Sequence, residues 1–303
     1  MRVYTHPDCL LHEPGAGHPE APARLAAVLQ ALHDAHPDLQ WMQAPLANSD
    51  HLARVHTEEM ISLILSAPAD ETLRIDADTV LAPGSSAAAL RACGAGVAAV
   101  DAVLGGKISR AFCAVRPPGH HATANTSMGF CLFNSVAVAA AHALAEHGLQ
   151  RVAIVDFDVH HGNGTQDIFD DEPRVFYASS HQWPLYPGTG ASDETGVGNV
   201  ANAPLPPGAG GTLFRAAWSE RLLPALEAFA PELLLVSAGF DGHRLDPLAD
   251  LGLVADDYAW LTAQLVDLSL RHSRGRIVSL LEGGYSLTGL RECSVAHVGA
   301  LLG

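Results

Sequence analysis

Short, uninterrupted apolar runs recur along the chain at residues 110–115 (RAFCAV), 152–155 (VAIV), 175–178 (VFYA), 233–236 (LLLV) and 276–281 (RIVSLL). Apolar runs of this length, bounded by polar or Gly-rich segments, are the pattern of parallel strands covered on both faces. Residues 2–5 read as a first strand. Between the runs, residues 22–36, 85–104, 135–147, 212–229, 256–272 and 287–302 are rich in Ala and Leu with polar positions at helical spacing, which predicts helices. Strand and helix alternate throughout, and no repeat, low-complexity tract or long linker intervenes. A single α/β domain over residues 1–303, built on a parallel sheet, is therefore expected. The Gly/Pro-dense segments 184–198 and 203–211 and the turn residues of 75–85 predict loops, and loops of this length are often functional.

In open parallel sheets, ligands bind beyond the carboxyl ends of the strands, so the residues that follow each apolar run matter most. After 110–115 comes Arg116-Pro-Pro-Gly-His120-His121; after 152–155, Asp156-Phe-Asp158-Val-His160-His161-Gly-Asn163; after 233–236, Ser237-Ala-Gly-Phe-Asp241; and after 276–281, Glu282-Gly-Gly-Tyr285. Asp158 and His160 are two apart, so on extended backbone they leave one face and can meet one ion, with Asp156 one step inward. Asp241 can complete the set from another strand end. Two carboxylates and an imidazole suit Zn²⁺ with a position left open for water and a substrate carbonyl, and Mn²⁺ or Fe²⁺ are substitutes. A lone Asp-x-His is ordinarily a capped loop; polar motifs at four strand ends favour a site. A neutral histidine at His120-His121 can take a proton from water and return it to a leaving amine. Tyr285 can donate to a developing oxyanion, and Gly283 and Gly284 permit close backbone approach.

Composition narrows the chemistry. The five cysteines are odd in number and include no CxxC pair, which argues for reduced thiols, so a metal has to be held by His, Asp or Glu. Histidines number 17, as many as Lys and Arg together, and several cluster in these motifs. A net charge of −16 speaks against nucleic acid and is compatible with a cationic substrate, although solubility explains it equally well. The N-terminal residues carry no export pattern, and no stretch of about 18 uncharged apolar residues occurs, so a cytoplasmic protein without membrane association is expected. A homo-oligomer is compatible with the sequence, which does not fix the state.

These motifs resemble the histone deacetylase superfamily, including bacterial deacetylase-like amidohydrolases, acetylpolyamine amidohydrolases and acetoin-utilisation proteins. The resemblance runs from His18-Pro-Glu20 and Arg24 through RPPGHHA (116–122), MGFCLFNSVAVAA (128–140), DFDVHHGNGTQ (156–166), YPGTG (186–190) and SAGFDGHRLDPL (237–248) to LEGGYSL (281–287). It implies a three-layer arginase/deacetylase-like α/β fold with an eight-stranded parallel sheet flanked by helices. It also implies one Zn²⁺ on Asp158, His160 and Asp241, His121 as general base and acid, His120 as its electrostatic partner, and Tyr285 as oxyanion donor. Asp156 matches the carboxylate behind His120, and Asn163 stands behind His121, the pattern of the class II type. Because an amide cannot stabilise an imidazolium as a carboxylate does, the two histidines should differ in pKa. A structural K⁺ is implied on the backbone of 156–160 (Asp156, Asp158, His160) with Ser179 and Ser180. Phe130 and Tyr186 match the walls of an acyl-lysine channel turned by Gly129 and Gly119, and Arg24 matches a residue lining a cavity beyond the metal.

Some positions depart from the family pattern. Tyr186 stands where Phe is usual and adds a hydroxyl. Leu248 stands where polyamine-selective relatives carry Glu, so an acetylpolyamine would lose an anchor. The rim carboxylate that grips a substrate backbone is Asp76 or Asp78. The implied activity is hydrolysis of an acylated amine of the acetyl-lysine type. The alternatives are an acetylpolyamine or other small-amide deacetylase, an arginase-like dinuclear manganese enzyme, and an inert acyl-lysine binding module.

Overall fold

The structure is a computed structural model and describes residues 1–66 and 71–303. In chain order its elements are β1 (Arg2–Thr5), α1 (Pro22–Ala35), β2 (Gln40–Gln43), α2 (Ser49–Leu52), α3 (Glu58–Leu65), β3 (Leu73–Arg74), β4 (Val80–Leu81), α4 (Ser85–Leu104), β5 (Arg110–Cys113), α5 (Ser135–His147), β6 (Val152–Asp156), α6 (Asn163–Phe169), β7 (Val175–Gln182), β8 (Val200–Leu205), α7 (Gly211–Ala217), α8 (Leu223–Phe229), β9 (Leu233–Ala238), α9 (Ala255–His272), β10 (Ile277–Leu281) and α10 (Leu287–Leu302). Eight strands form one parallel sheet in the order β2-β1-β5-β10-β9-β6-β7-β8. The four strands whose ends carry the polar motifs, β5, β10, β9 and β6, are contiguous at its centre. Their apolar runs are buried on both faces, as the lack of alternation in the sequence requires.

Helices cover the sheet in two sets. α4 and α5 pack on each other and on the central strands, and α1, α10 and α9 pack in succession. α4 is 20 residues long and apolar enough by length and composition to cross a membrane, but here it is a core helix. At Gly96 an added Cβ would come within 3.1 Å of the Ala139 Cβ of α5 and 3.2 Å of Leu280 in β10, so glycine sets how closely these layers approach.

Several sequence expectations need correction. Residues 212–229 are not one α-helix: α7 passes into α8 through a π-helical turn, Trp218–Leu222, where Leu223 N–H bonds the Trp218 carbonyl five residues back. Pro224, which has no N–H to donate, follows directly, and the wider turn accommodates it. The segment 203–211 is not all loop, because its first residues finish β8. Both outer strands, β2 (QWMQ) and β8 (VANAPL), lack an apolar run, as edge strands can. β7 runs on to Gln182, and its polar end (SSHQ) is buried.

Candidate active site

β6 ends on Asp156, and the chain then turns. Asp156 Oδ1 accepts the Asp158 N–H at 3.2 Å, and Asp158 Oδ1 accepts the His160 N–H at 2.9 Å, two successive turns of the kind Asp side chains stabilise. Asp158 and His160 thus meet through folded rather than extended backbone. Asp241, just past β9, accepts the Val159 N–H at 2.8 Å and ties the two strand ends together. His160 Nδ1 lies 3.1 Å from Asp158 Oδ1 and 3.2 Å from Asp241 Oδ2. One ligand atom from each residue falls within 4.8 Å of the other two, and all three residues are buried.

This trio fits Zn²⁺. A Cβ on Gly239 would run into the Asp158 carboxylate and one on Gly283 into that of Asp241, so glycines keep a cradle open around the ligands. Among the described residues no lysine or arginine pairs with either carboxylate. Burial disfavours a charged His160, yet its hydrogen bonds to Asp158 and Asp241 raise it to about 10. Burial and Asp158 together push Asp241 up to about 7. The carboxylates therefore draw positive charge into the site.

The neighbouring histidines are shifted in opposite directions. His120 Nδ1 is 3.0 Å from Asp156 Oδ2, which also accepts the Tyr177 hydroxyl at 3.0 Å. Burial alone would favour neutral His120, but Asp158 and Asp156 hold it well above the ordinary imidazole value. His121, its ring centroid 4.1 Å away, is pushed well below that value by burial and by the positive charge of His120. Asn163 Oδ1 faces His121 Nδ1 at 2.8 Å, while its Nδ2 faces the His121 carbonyl and the Met128 sulfur, each at 3.4 Å. That orientation leaves Oδ1 as the acceptor, so Nδ1 carries the proton and Nε2 keeps its lone pair.

Tyr285 closes the site from the end of β10. Its N–H bonds Asp246 Oδ2 at 2.7 Å, and its ring sits 4.8 Å from the Arg24 guanidinium carbon. Arg24, fully buried, also binds the carbonyls of Gly284 and Glu282 at 2.5 and 2.6 Å and the Glu20 carboxylate at 2.8 Å. Glu20 is shared with Arg116. Glu282 Oε2 accepts the N–H groups of Gly119 and His120 at 2.6 and 3.2 Å, fastening the histidine turn to β10. Burial pushes Glu282 up to about 7. Asp246, Tyr177 and Glu282 had been given no role by the sequence, since their partners come from distant segments.

His160 of the trio, His121 and Tyr285 line a cleft of about 240 Å³ together with Phe130, Leu185, Tyr186 and Leu248. Phe130 has φ +67, a left-handed backbone rare for an aromatic residue, and its N–H is held by Thr79 Oγ1 at 3.1 Å. Gly129 beside it has no room for a Cβ against His121. Asp78 reaches the cleft, whereas Asp76 caps a turn through the N–H groups of Asp78 and Thr79. Ser179 pairs in register with Asp156; its hydroxyl meets His181, and that of Ser180 accepts from Trp218. His161 faces away from the trio, toward Thr189 and Gln166, so it does not supply the extra ligand a dinuclear centre would need.

The fold is that of the deacetylase class, and the candidate ligand cluster at its strand ends accords with the metal dependence general in that class. The family profile described as "Histone deacetylase domain" matches residues 18–301, and the chain belongs to the histone deacetylase family. It is 44% identical over 299 residues to "Uncharacterized protein slr0245" of Synechocystis sp., covering 97% of this chain and 96% of that one. It is 39% identical over 296 residues to the "Histone deacetylase-like amidohydrolase" of Pseudomonas aeruginosa, covering 95% and 78%. The crystal structure of the HDA15 HD domain superposes with a TM-score of 0.95 at 36% identity, covering 99% of this chain and 87% of that one. These relationships support a deacetylase or amidohydrolase activity acting on an acylated amine.

Proposed function

We propose that residues 1–303 form one zinc-dependent catalytic domain that hydrolyses the amide of an acetyl-lysine-type amine. The observation that carries this reading is the convergence of the buried Asp158, His160 and Asp241 cluster with two adjacent histidines, one backed by Asp156 and the other by Asn163, and with Tyr285, beside an apolar cleft. Asp158, His160 and Asp241 would hold the Zn²⁺, which when bound polarises a carbonyl and acidifies water. His121 Nε2 takes the proton of the attacking water while Asn163 keeps its Nδ1–H in place. His120, charged and backed by Asp156, stabilises negative charge next to it. The Tyr285 hydroxyl donates to the oxyanion, and the imidazole pair returns a proton to the departing amine. Phe130 and Tyr186 enclose the aliphatic stem, and Asp78 accepts a substrate N–H at the rim. The backbone of 156–160 with Ser179 and Ser180 would hold a structural K⁺.

The test is release of free amine from acetyl-lysine peptides, longer acyl-lysines and acetylpolyamines by the zinc-loaded chain. Acetyl-lysine turnover that is lost on chelation and restored by Zn²⁺ is expected. Preference for acetylpolyamines would overturn the substrate assignment drawn from Leu248, and turnover of none would leave a binding module.

A further inference from the structure

A second convergence of ligand-type side chains lies outside the cleft, at the C-terminal ends of α4 and α5. Asp101 Oδ1 is 2.7 Å from His142 Nε2 and 2.8 Å from His147 Nε2, and one ligand atom from each of the three lies within 4.8 Å of the others. We propose that Asp101, His142 and His147 form a second metal site, for a borderline divalent cation such as Zn²⁺ or Ni²⁺.

Two imidazoles and a carboxylate are the donor set such ions prefer, with bonds of about 2.0–2.2 Å that put tetrahedral ligand atoms about 3.3–3.6 Å apart, so the side chains need to part by roughly half an ångström or a little more to admit one. The position also favours a cation. Asp101 lies in the last turn of α4 and His147 is the last residue of α5, where both helices present the negative ends of their dipoles. His142 is buried and fixed, whereas the Asp101 side chain is 52% exposed and that of His147 27% exposed. An ion can therefore enter and complete its coordination with water.

One contact opposes the ion. Each Nε2 proton that now bridges to Oδ1 has to move to Nδ1, and His142 Nδ1 faces Arg54 Nη1 at 3.1 Å. Arg54 would turn away while keeping its bond to Glu146. The next imidazole, His51, has its ring centroid 5.4 Å from that of His142 and its Nδ1 engaged by the Asn48 N–H, so it is no ligand as it stands. Arg54 thus competes with the metal, which a purely hydrogen-bonded cluster does not predict.

The full chain is equilibrated with Zn²⁺, and separately with Ni²⁺, and its metal content is measured beside that of His147→Ala, Asp101→Asn and Arg54→Met. Wild type is expected to hold one equivalent more than His147→Ala or Asp101→Asn, with amide hydrolysis unchanged in both. Arg54→Met is expected to bind that equivalent several-fold more tightly. Equal metal content in wild type and both ligand variants overturns the proposal, as does an Arg54→Met affinity at or below wild type. Because the readout is a difference between variants, it holds whether or not the cleft itself takes zinc.

Discussion

His120 and His121 are adjacent and chemically identical, and the residue behind each ring makes them different. Asp156 gives His120 a negative partner, while Asn163 gives His121 an acceptor without charge. Asn163→Asp should raise the pKa of His121. A base works only when neutral, so the acidic limb of the kcat/KM profile should move to higher pH, by about one unit or more; an unmoved limb would remove His121 from the role of base. Tyr285→Phe should lose about 100-fold in kcat at unchanged metal content, and turnover near wild type would exclude it as the oxyanion donor. His120, His121, Asp156 and Tyr285 were legible as candidates because they stand in the segments that follow apolar runs, whereas the place of Asn163 behind His121 was implied by the family resemblance. Asp246 was not legible. It is 39 residues from the Tyr285 N–H it anchors, and no local pattern marks that pairing. That Asp78 rather than Asp76 lines the cleft was likewise not legible, because it depends on the turn that Asp76 caps.

At the scale of elements, the sequence revealed strands according to how fully they are buried. The central strands read as unbroken apolar runs, whereas the edges β2 and β8 each have one side without a strand and use polar residues and Pro204, so their pattern resembled loop. The glycine cradle around Asp158 and Asp241 depends on where two central strands end. β9 and β10 run in parallel register, Leu281 beside Ala238, and this brings Gly239 and Gly283 against Asp158 and Asp241. In Gly283→Ala the new methyl would occupy space held by the Asp241 carboxylate and disturb the Gly283 N–H bond to Asp158. Bound zinc should fall at least 10-fold, by comparison with losses on disturbing metal-supporting contacts, while the far-ultraviolet circular dichroism stays that of the wild type. Full zinc occupancy in this variant would mean that the ligands lie elsewhere.

Across the whole molecule, buried neutral histidines join elements that lie far apart in sequence. His56 receives the Asn134 N–H and meets the Thr123 carbonyl; His161 links Thr189 to Gln166; His181 links Ser179 to the Gly190 carbonyl; and His297 spans Thr262 of α9 and Ser279 of β10. Burial depresses each from an ordinary 6.5, to about 4 for His56 and His181 and about 3 for His161 and His297. Between those values and 6.5 the unfolded chain binds protons that the folded chain refuses. Stability is therefore fully present above about pH 6.5 and is lost as pH falls toward 4. At pH 5 one such histidine costs about 2 kcal/mol, and several together are a large share of an ordinary folding margin of about 5–15 kcal/mol. Calorimetry should show the Tm falling steeply from pH 7 to pH 5 and recovering on return to pH 7. Zinc release at low pH would act in the same direction, so His297→Gln, which is no part of the cleft, separates the two causes. It should be less stable at pH 7 yet lose Tm less steeply with acid, and a slope equal to that of the wild type would assign the acid sensitivity to the metal ligands instead.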